Sequence, residues 1–305
     1  MNDASPNRRD LKPALVFLSG ELIAVPIPLE REEVIMGRAL EADVRVNDTQ
    51  VSRQHARIES TEDGEYFVKD LDSRNGTFLN GRRIRREKLE NGDKITIGET
   101  ILRFDLLDEI DREYQRQIHR LISHDDLTGL LSSRSFFSEL RREASRARAG
   151  NRPFCVLMMD GDNFKSVNDT YGHLTGSKTL EEIGFSIMTN LRSGDAAARF
   201  GGDEFAAFLL DAELSQGMVA AERIRSSIEK YEFSVVKQGS RKAAHHITVS
   251  IGVSSFPEDS SDPIELVEMA DSALYRAKRS GRNEVAAYRD VTEEEISRGL
   301  PPRRE

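Results

Sequence analysis

Residues 198–210 read Ala-Arg-Phe-Gly-Gly-Asp-Glu-Phe-Ala-Ala-Phe-Leu-Leu, two apolar runs divided by Gly201-Gly202-Asp203-Glu204. Short apolar runs interrupted by paired glycines predict a β-hairpin whose turn presents two adjacent acids. The glycines let another molecule approach the backbone closely. A second run, Phe154 to Met159, is wholly apolar and ends in Asp160-Gly161-Asp162, so β structure again delivers carboxylates to a strand end, where sites are built. If the two ends are neighbours, Asp160, Asp203 and Glu204 form an acidic cluster that must shift its pKa values or bind a hard cation. Magnesium holding nucleotide phosphates suits such a place.

Outward from these strands, helical stretches at 136–149, 179–191, 217–231 and 263–281 alternate with strand-like runs at 154–160, 198–210, 247–256 and 285–288. That alternation predicts a central sheet with helices packed on it, an α/β domain over 125–290. Between about 13 and 105 the pattern changes to short alternating runs punctuated by Asn75-Gly76, Asn80-Gly81 and Asn91-Gly92, which predicts an all-β sandwich. Residues 106–124 lack Gly and Pro and carry Leu107, Ile110, Tyr114, Ile118 and Leu121 at helical spacing, predicting a linker helix able to pair with a second copy. Residues 1–12 and 291–305 are polar tails.

The chain has 305 residues, enough for two domains, with a formal net charge of -9, 38% hydrophobic and 32% charged residues. That balance describes a soluble acidic protein and predicts no nucleic-acid partner. No apolar run is long enough for a membrane span and residues 1–12 lack an apolar signal core, so no membrane insertion and a cytoplasmic location are expected. The single Cys155 lies in an apolar run and reads as a buried structural thiol.

The string around residues 199–205, preceded by His124-Asp125-Asp126-Leu127-Thr128-Gly129 and by residues 160–177 (DGDNFKSVNDTYGHLTGS), resembles the GGDEF family of diguanylate cyclases from Asp125 to Asn283. The resemblance implies a fold like the catalytic core of adenylyl cyclases and a reaction in which two domains, each holding one GTP, close cyclic di-GMP and release pyrophosphate. It implies Asp160, Asp203 and the Gly161 carbonyl as ligands of two Mg2+ ions, with Mn2+ able to substitute and Glu204 assisting at the second metal. Family members usually carry a larger apolar residue at 161, which a backbone ligand tolerates. Asp203 is the group implied to accept the 3′-hydroxyl proton. Lys165, Lys278 and Arg282 match the phosphate-gripping cations, Gly201 and Gly202 the turn against the nucleotide, and Asn168 a guanine contact. The second guanine contact is usually Asp but here is Ser177. A hydroxyl cannot accept from guanine N1 and N2 together as a carboxylate does. A subgroup with Ser here, the hybrid promiscuous cyclases, also makes cyclic GMP-AMP, and that product stays open.

Arg192-Ser193-Gly194-Asp195 stands nine residues before Gly201 and matches the family's inhibitory RxxD site for cyclic di-GMP, with Arg223 as a second cation. In the β-rich half, Gly37-Arg38, Ser52-Arg53-Gln54-His55 and Ser73-Arg74-Asn75-Gly76-Thr77 resemble the forkhead-associated (FHA) family of phosphothreonine-peptide readers. The resemblance implies phosphate binding by Arg38, Ser52 and Arg53, peptide-backbone contacts by Arg74 and Asn75, and a bracing rather than catalytic His55. The partners implied are GTP, cyclic di-GMP, a second copy for catalysis and a phosphothreonine peptide in trans. Two rival readings are a degenerate cyclic di-GMP sensor and a phosphopeptide adaptor with an inert cyclase half.

Overall fold

The computed structural model describes residues 11–19, 26–39, 41–46, 48–236 and 243–292, and divides into two compact units, 1–122 and 123–305. The expected polar tails fall almost wholly outside the described residues.

In the first unit eleven strands follow in order: Lys12–Phe17 (β1), Pro26–Pro28 (β2), Glu33–Gly37 (β3), Val44–Arg45 (β4), Ala56–Ser60 (β5), Tyr66–Asp70 (β6), Thr77–Leu79 (β7), Arg82–Ile84 (β8), Arg86–Leu89 (β9), Lys94–Ile97 (β10) and Thr100–Leu107 (β11). They form a six-stranded sheet, β2-β1-β11-β10-β7-β8, and a five-stranded sheet, β4-β3-β5-β6-β9. Period-two alternation points Ile95, Ile97, Leu102 and Phe104 of the first sheet and Met36, Ile58 and Val68 of the second into one core. Asn80 and Gly81 both take positive φ, 50° and 80°, joining β7 to β8. A two-residue hairpin asks for that pair of left-handed residues, and Asn-Gly meets it with little strain.

The sandwich ends later than its sequence suggests. Leu107, the first apolar position of the expected helix, is instead the last residue of β11, paired with Lys12 and buried against Ala14 and Val16. A helix, Glu109–Ser123 (α1), follows, with the Asp108 carboxylate accepting from the Asp111 amide at 2.7 Å as a helix start requires. Its apolar Ile110, Tyr114 and Leu121 are 79%, 60% and 68% exposed.

The second unit runs Leu131–Ser132 (β12), Ser133–Gly150 (α2), Phe154–Gly161 (β13), Phe164–Tyr171 (α3), His173–Thr189 (α4), Ala196–Gly201 (β14), Glu204–Leu210 (β15), Leu214–Lys230 (α5), Phe233–Val235 (β16), Ala243–His245 (β17), Val249–Phe256 (β18), Pro263–Ser280 (α6) and Val285–Ala287 (β19). The six-stranded sheet has the order β12-β14-β15-β13-β18-β19, and β16 and β17 form a separate hairpin. Central strand β13 is antiparallel to both neighbours, while the rim pairs β12/β14 and β18/β19 are parallel. Every residue of β13 is buried, because both sheet faces are covered. Cys155, Leu157 and Met159 face a core with Ile183, Ile187, Ile224 and Ile228 of α4 and α5. Phe154, Val156 and Met158 face the opposite core with Phe136 and Leu140 of α2 and Leu266 and Leu274 of α6. An unbroken apolar run is what a strand covered twice requires.

Cys155 has the structural role its surroundings suggested. It is fully buried, its thiol donates to the Ala212 carbonyl at 3.3 Å, and burial pushes its pKa up to about 12.

Helix α6 is seated by a missing side chain. A Cβ on Gly252 of β18 would lie 2.0 Å from the Ala270 carbonyl oxygen and 2.2 Å from the Leu274 amide nitrogen. Gly252→Ala must therefore push α6 off the sheet, and overpacking of this kind costs about 1–3 kcal/mol. The expected outcome in urea unfolding is a loss of that size, with unchanged denaturant dependence.

Candidate functional site

The acidic site is assembled by strand register. Strands β13 and β15 pair so that Asp160 stands opposite Glu204, and the Gly161 amide donates to the Asp203 carbonyl at 3.1 Å. The turn between β14 and β15 carries Gly201 at φ 146° and Gly202 at φ 53°, with nothing within 4 Å of either absent Cβ. Positive φ explains the glycines, and the open space around them leaves room for a ligand. Asp160, Gly161, Lys165, Asp203, Glu204, Lys278 and Arg282 all line one cleft of about 720 Å3.

Within the cleft the Lys278 ammonium donates to Asp160 Oδ2 at 2.7 Å. Asp160 is only 9% exposed, and burial pushes its pKa up to about 6, against the pull of the Lys278 hydrogen bond and aided by repulsion from Asp203 and Glu204. A buried carboxylate beside two others, already holding a side-chain cation, has the donor chemistry that a hard divalent ion takes. Among the described residues no three His, Cys, Asp or Glu side chains converge as a preformed cation cage. The residues thus fit a metal held by two carboxylates and a backbone oxygen, completed by ligand oxygens, as Mg2+ with nucleotide phosphates usually is.

The cations are placed by residues whose importance the sequence did not announce. Asp162, 7% exposed, accepts from Thr248 Oγ1 and Ser250 Oγ at 2.7 Å each and from the Asn283 amide at 3.0 Å. It thereby pins the loop after α6, where Arg282 and Asn283 take left-handed φ of 67° and 50°. Asn283 is held again through its side-chain amide, which donates to Glu229 at 2.7 Å. Arg282 follows the end of α6 and Lys278 occupies its last turn, where a helix favours positive charge.

A second unannounced residue is Arg199. Its Nε and Nη2 donate to the Gly202 carbonyl at 3.0 and 2.8 Å, and Nη1 to the Asp125 carboxylate at 3.1 Å. Asp125 also accepts from the Thr128 amide and hydroxyl at 2.9 and 2.7 Å. Burial would raise the Asp125 pKa, but the Thr128 hydrogen bonds and the Arg199 charge together hold it below the usual carboxylate value. The acidic turn is therefore tied to the start of the second unit.

Asn168 and Ser177 do not line the cleft. They lie at the α3–α4 junction, where the Asn168 side-chain oxygen fills the space of the absent Cβ of Gly176, 1.9 Å from it, and Ser177 is exposed. The RxxD residues do gather: Arg192, Asp195 and Arg223 line a second cavity of about 230 Å3 with Leu209, Leu210 and Val219. There the Asp195 carboxylate accepts from the Arg192 and Leu210 amides at 2.9 and 3.1 Å, and Arg223 donates to the Asn190 carbonyl at 2.6 Å.

In the first unit three loops knit together. The Ser52 amide donates to His55 Nδ1 at 3.1 Å, leaving the proton on Nε2 to reach the Gly76 carbonyl at 3.1 Å. His55 is fully buried and acts as the brace its motif implied. Ser52 Oγ accepts from the Arg74 amide at 3.0 Å, Asn75 Nδ2 donates to the Gln50 carbonyl at 2.7 Å, and the Arg38 amide donates to the Ser52 carbonyl at 2.9 Å. Asp70 ties the last loop, accepting from the Ser73 and Thr77 hydroxyls at 2.6 Å each. Arg38, Arg53, Arg74 and Asn75 remain exposed on loops that a hydrogen-bonded frame holds together.

Residues 122–284, more than half of the chain, match the family described as "Diguanylate cyclase, GGDEF domain", and residues 34–98 match the FHA domain. The chain is 35% identical over 181 residues to a probable diguanylate cyclase, DgcT, of Escherichia coli, covering 57% of this chain and 38% of that one. It is 35% identical over 225 residues to the diguanylate cyclase DosC of Escherichia coli, covering 73% of this chain and 47% of that one. The chain thus spans less than half the length of these curated relatives. Among solved structures, the coiled coil and GGDEF domain of DgcB from Caulobacter crescentus, in complex with c-di-GMP, is similar with a TM-score of 0.53 and 33% identity over 58% of this chain and 91% of that one.

The Arg199 clamp predicts a pH-dependent loss. Asp125→Asn removes a carboxylate whose folded pKa is depressed, so the stability it contributes is present above the unfolded value of about 4 and vanishes as pH falls through the folded pKa. Urea unfolding should show the variant less stable than the parent at pH 7, with the gap closing below about pH 4.

Proposed function

The chain belongs to the GGDEF family of diguanylate cyclases and carries an FHA domain ahead of that domain, and from this premise we propose that it condenses two GTP molecules into cyclic di-GMP with release of pyrophosphate. The observation that carries the reading is the single cleft lined by Asp160, Asp203, Glu204, Lys165, Lys278 and Arg282. Three acids and three bases facing one space suit a triphosphate that arrives with divalent cations.

In this reading Asp160, Asp203 and the Gly161 carbonyl would hold the metal, and Glu204 would assist at a second. Divalent ions bound there would supply the charge that neutralises the phosphates and lowers the cost of the developing oxyanions. Lys278, which pairs with Asp160, would bind the β- and γ-phosphates when Asp160 holds a cation. Arg282 grips the same phosphates from the loop that Asp162 pins, and Lys165 reaches them from α3. Asn168 and Ser177 bind the base from the α3–α4 junction. The Asp203 carboxylate accepts the proton of the 3′-hydroxyl as that oxygen attacks the α-phosphorus of the nucleotide on the second copy. One GGDEF domain holds half of the reacting pair, so the rate depends on two copies meeting. Cyclic di-GMP bound by Arg192, Asp195 and Arg223 limits the reaction. Phosphothreonine captured by Arg38, Ser52 and Arg53 governs how or where two copies meet.

Ser177 supports a second product. With a hydroxyl in place of the usual carboxylate, preference for guanine over adenine weakens, and cyclic GMP-AMP forms when ATP is present.

Incubation with GTP and Mg2+ should release pyrophosphate and yield cyclic di-GMP by mass spectrometry, with at least about a hundredfold loss in Asp203→Ala. Absence of pyrophosphate release in the parent chain would favour the sensor reading instead. With GTP and ATP together, Ser177→Asp should shift the product mixture toward the di-guanosine compound. An unchanged mixture would remove position 177 from base choice.

A further inference from the structure

Helix α4 buries a polar stripe. Thr175 and Thr179, both fully buried, and Glu182, 8% exposed, recur at helical spacing on its inner face. The β16–β17 hairpin and the residue after β16 meet each of them. The Val236 amide donates to Thr175 Oγ1 at 3.2 Å, and the Ser234 amide and hydroxyl donate to the Glu182 carboxylate at 3.0 and 2.8 Å. Between these, His245 Nε2 lies 2.8 Å from Thr179 Oγ1. The Thr179 hydroxyl has one proton, which goes to the Thr175 carbonyl at 2.9 Å, so the histidine donates from Nε2.

Stability alone would not select a polar seam here. His245 is 5% exposed, its ring stacks on Tyr171 with centroids 5.2 Å apart and lies against Phe233, and its Nδ1 has no hydrogen-bond partner among the described residues. An unpaired buried nitrogen costs free energy that an apolar pair at 179 and 245 would avoid. What hydrogen bonds add is direction, so they fix the rotation and register of a helix where apolar contacts tolerate slip. The same residues are tied to the α3–α4 junction. Tyr171 ends α3, the helix of Asn168, and its carbonyl accepts from Thr175 Oγ1 at 3.1 Å. Ser177, between Thr175 and Thr179 in the chain, is exposed, so a rotation of α4 would redirect it.

We propose that His245 and Thr179 are positioning residues for nucleobase recognition, holding α4 in the rotation that presents Ser177 and Asn168 to the base. The inference rests on the reading above in which those two residues bind the base, and it adds what decides their orientation. Neither His245 nor Thr179 lines the cleft of the phosphate-binding cations. Affinity for the base and affinity for the phosphates are therefore separable.

The test is equilibrium binding of two probes to the full chain with Mg2+: 3′-deoxy-GTP, which lacks the attacking hydroxyl, and inorganic triphosphate, which lacks the base. Thr179→Val leaves the buried Nε2 proton without an acceptor and should lower stability in urea. Combining it with His245→Leu removes both polar groups and should restore stability to the parent value or above. In that restored double variant the Kd of 3′-deoxy-GTP should still rise by about fivefold or more, with the Kd of triphosphate unchanged. His245→Phe, which keeps a ring on Tyr171 and leaves Thr179 bonded to Thr175, should show the same split, and Thr179→Ser, which keeps the hydroxyl, should bind both probes as the parent does. Unchanged 3′-deoxy-GTP affinity in the double variant and in His245→Phe would overturn the inference and leave the cyclase reading standing, as would a loss shared equally by the two probes. A parent chain that binds 3′-deoxy-GTP no better than triphosphate would overturn the base contacts of Asn168 and Ser177 together with the inference.

Discussion

The antiparallel pairing of β13 with β15 is the constraint on which the second unit depends. Seven cross-strand pairs run from Phe154 opposite Leu210 to Asp160 opposite Glu204. In a structure of period two, a slip of one residue would carry every side chain to the other face. The slip is prevented by burial: Cys155, Leu157 and Met159 fill one core while Phe154, Val156 and Met158 fill the other. Apolar packing thus fixes the place of the carboxylates at the strand ends, although none of them contributes to that packing.

Around that fixed pair the site balances charge. Taking Asp160 out of water disfavours its ionised form, and Asp203 and Glu204 add to the penalty, which together raise its pKa to about 6. Lys278 offsets part of it from the last turn of α6. A lysine that pairs with a buried carboxylate keeps that charge from standing bare. Asp162 and Asn283 keep the loop beside it in a left-handed conformation that solvent alone would not maintain.

The first unit solves a different problem with the same economy. Its exposed arginines stand on loops, and loops are mobile unless something ties them. His55 and Asp70 supply ties to loop backbone and loop hydroxyls, and Ser52 Oγ adds another by accepting from the Arg74 amide. A buried neutral histidine is suited to this because one ring nitrogen accepts and the other donates. The loops that carry Arg38, Arg53 and Arg74 are thereby held in place.

Local pattern determined much of this protein. Alternation in Lys94–Ile97 and Thr100–Leu107, the Asn80-Gly81 turn, the unbroken apolar run of β13 and the paired glycines at 201 and 202 are short-range signals, and each specified its element because backbone sterics and period-two burial act over a few residues. Where the signal was ambiguous the sequence misled: Leu107 fits a helical stripe and a strand equally well, and its burial against Ala14 and Val16 decided for the strand. The family resemblance also implied that Asp160, Asp203, Glu204, Lys165, Lys278 and Arg282 belong to one site, and they line one cleft. It did not reveal Arg199 on the Asp125 carboxylate or Asp162 on the Asn283 amide. An arginine or aspartate in a string looks the same whether it faces water, a carboxylate 74 residues away or a backbone amide 121 residues away. Those partnerships come into being only when distant segments are brought side by side, so tertiary structure alone decided which charges anchor the site.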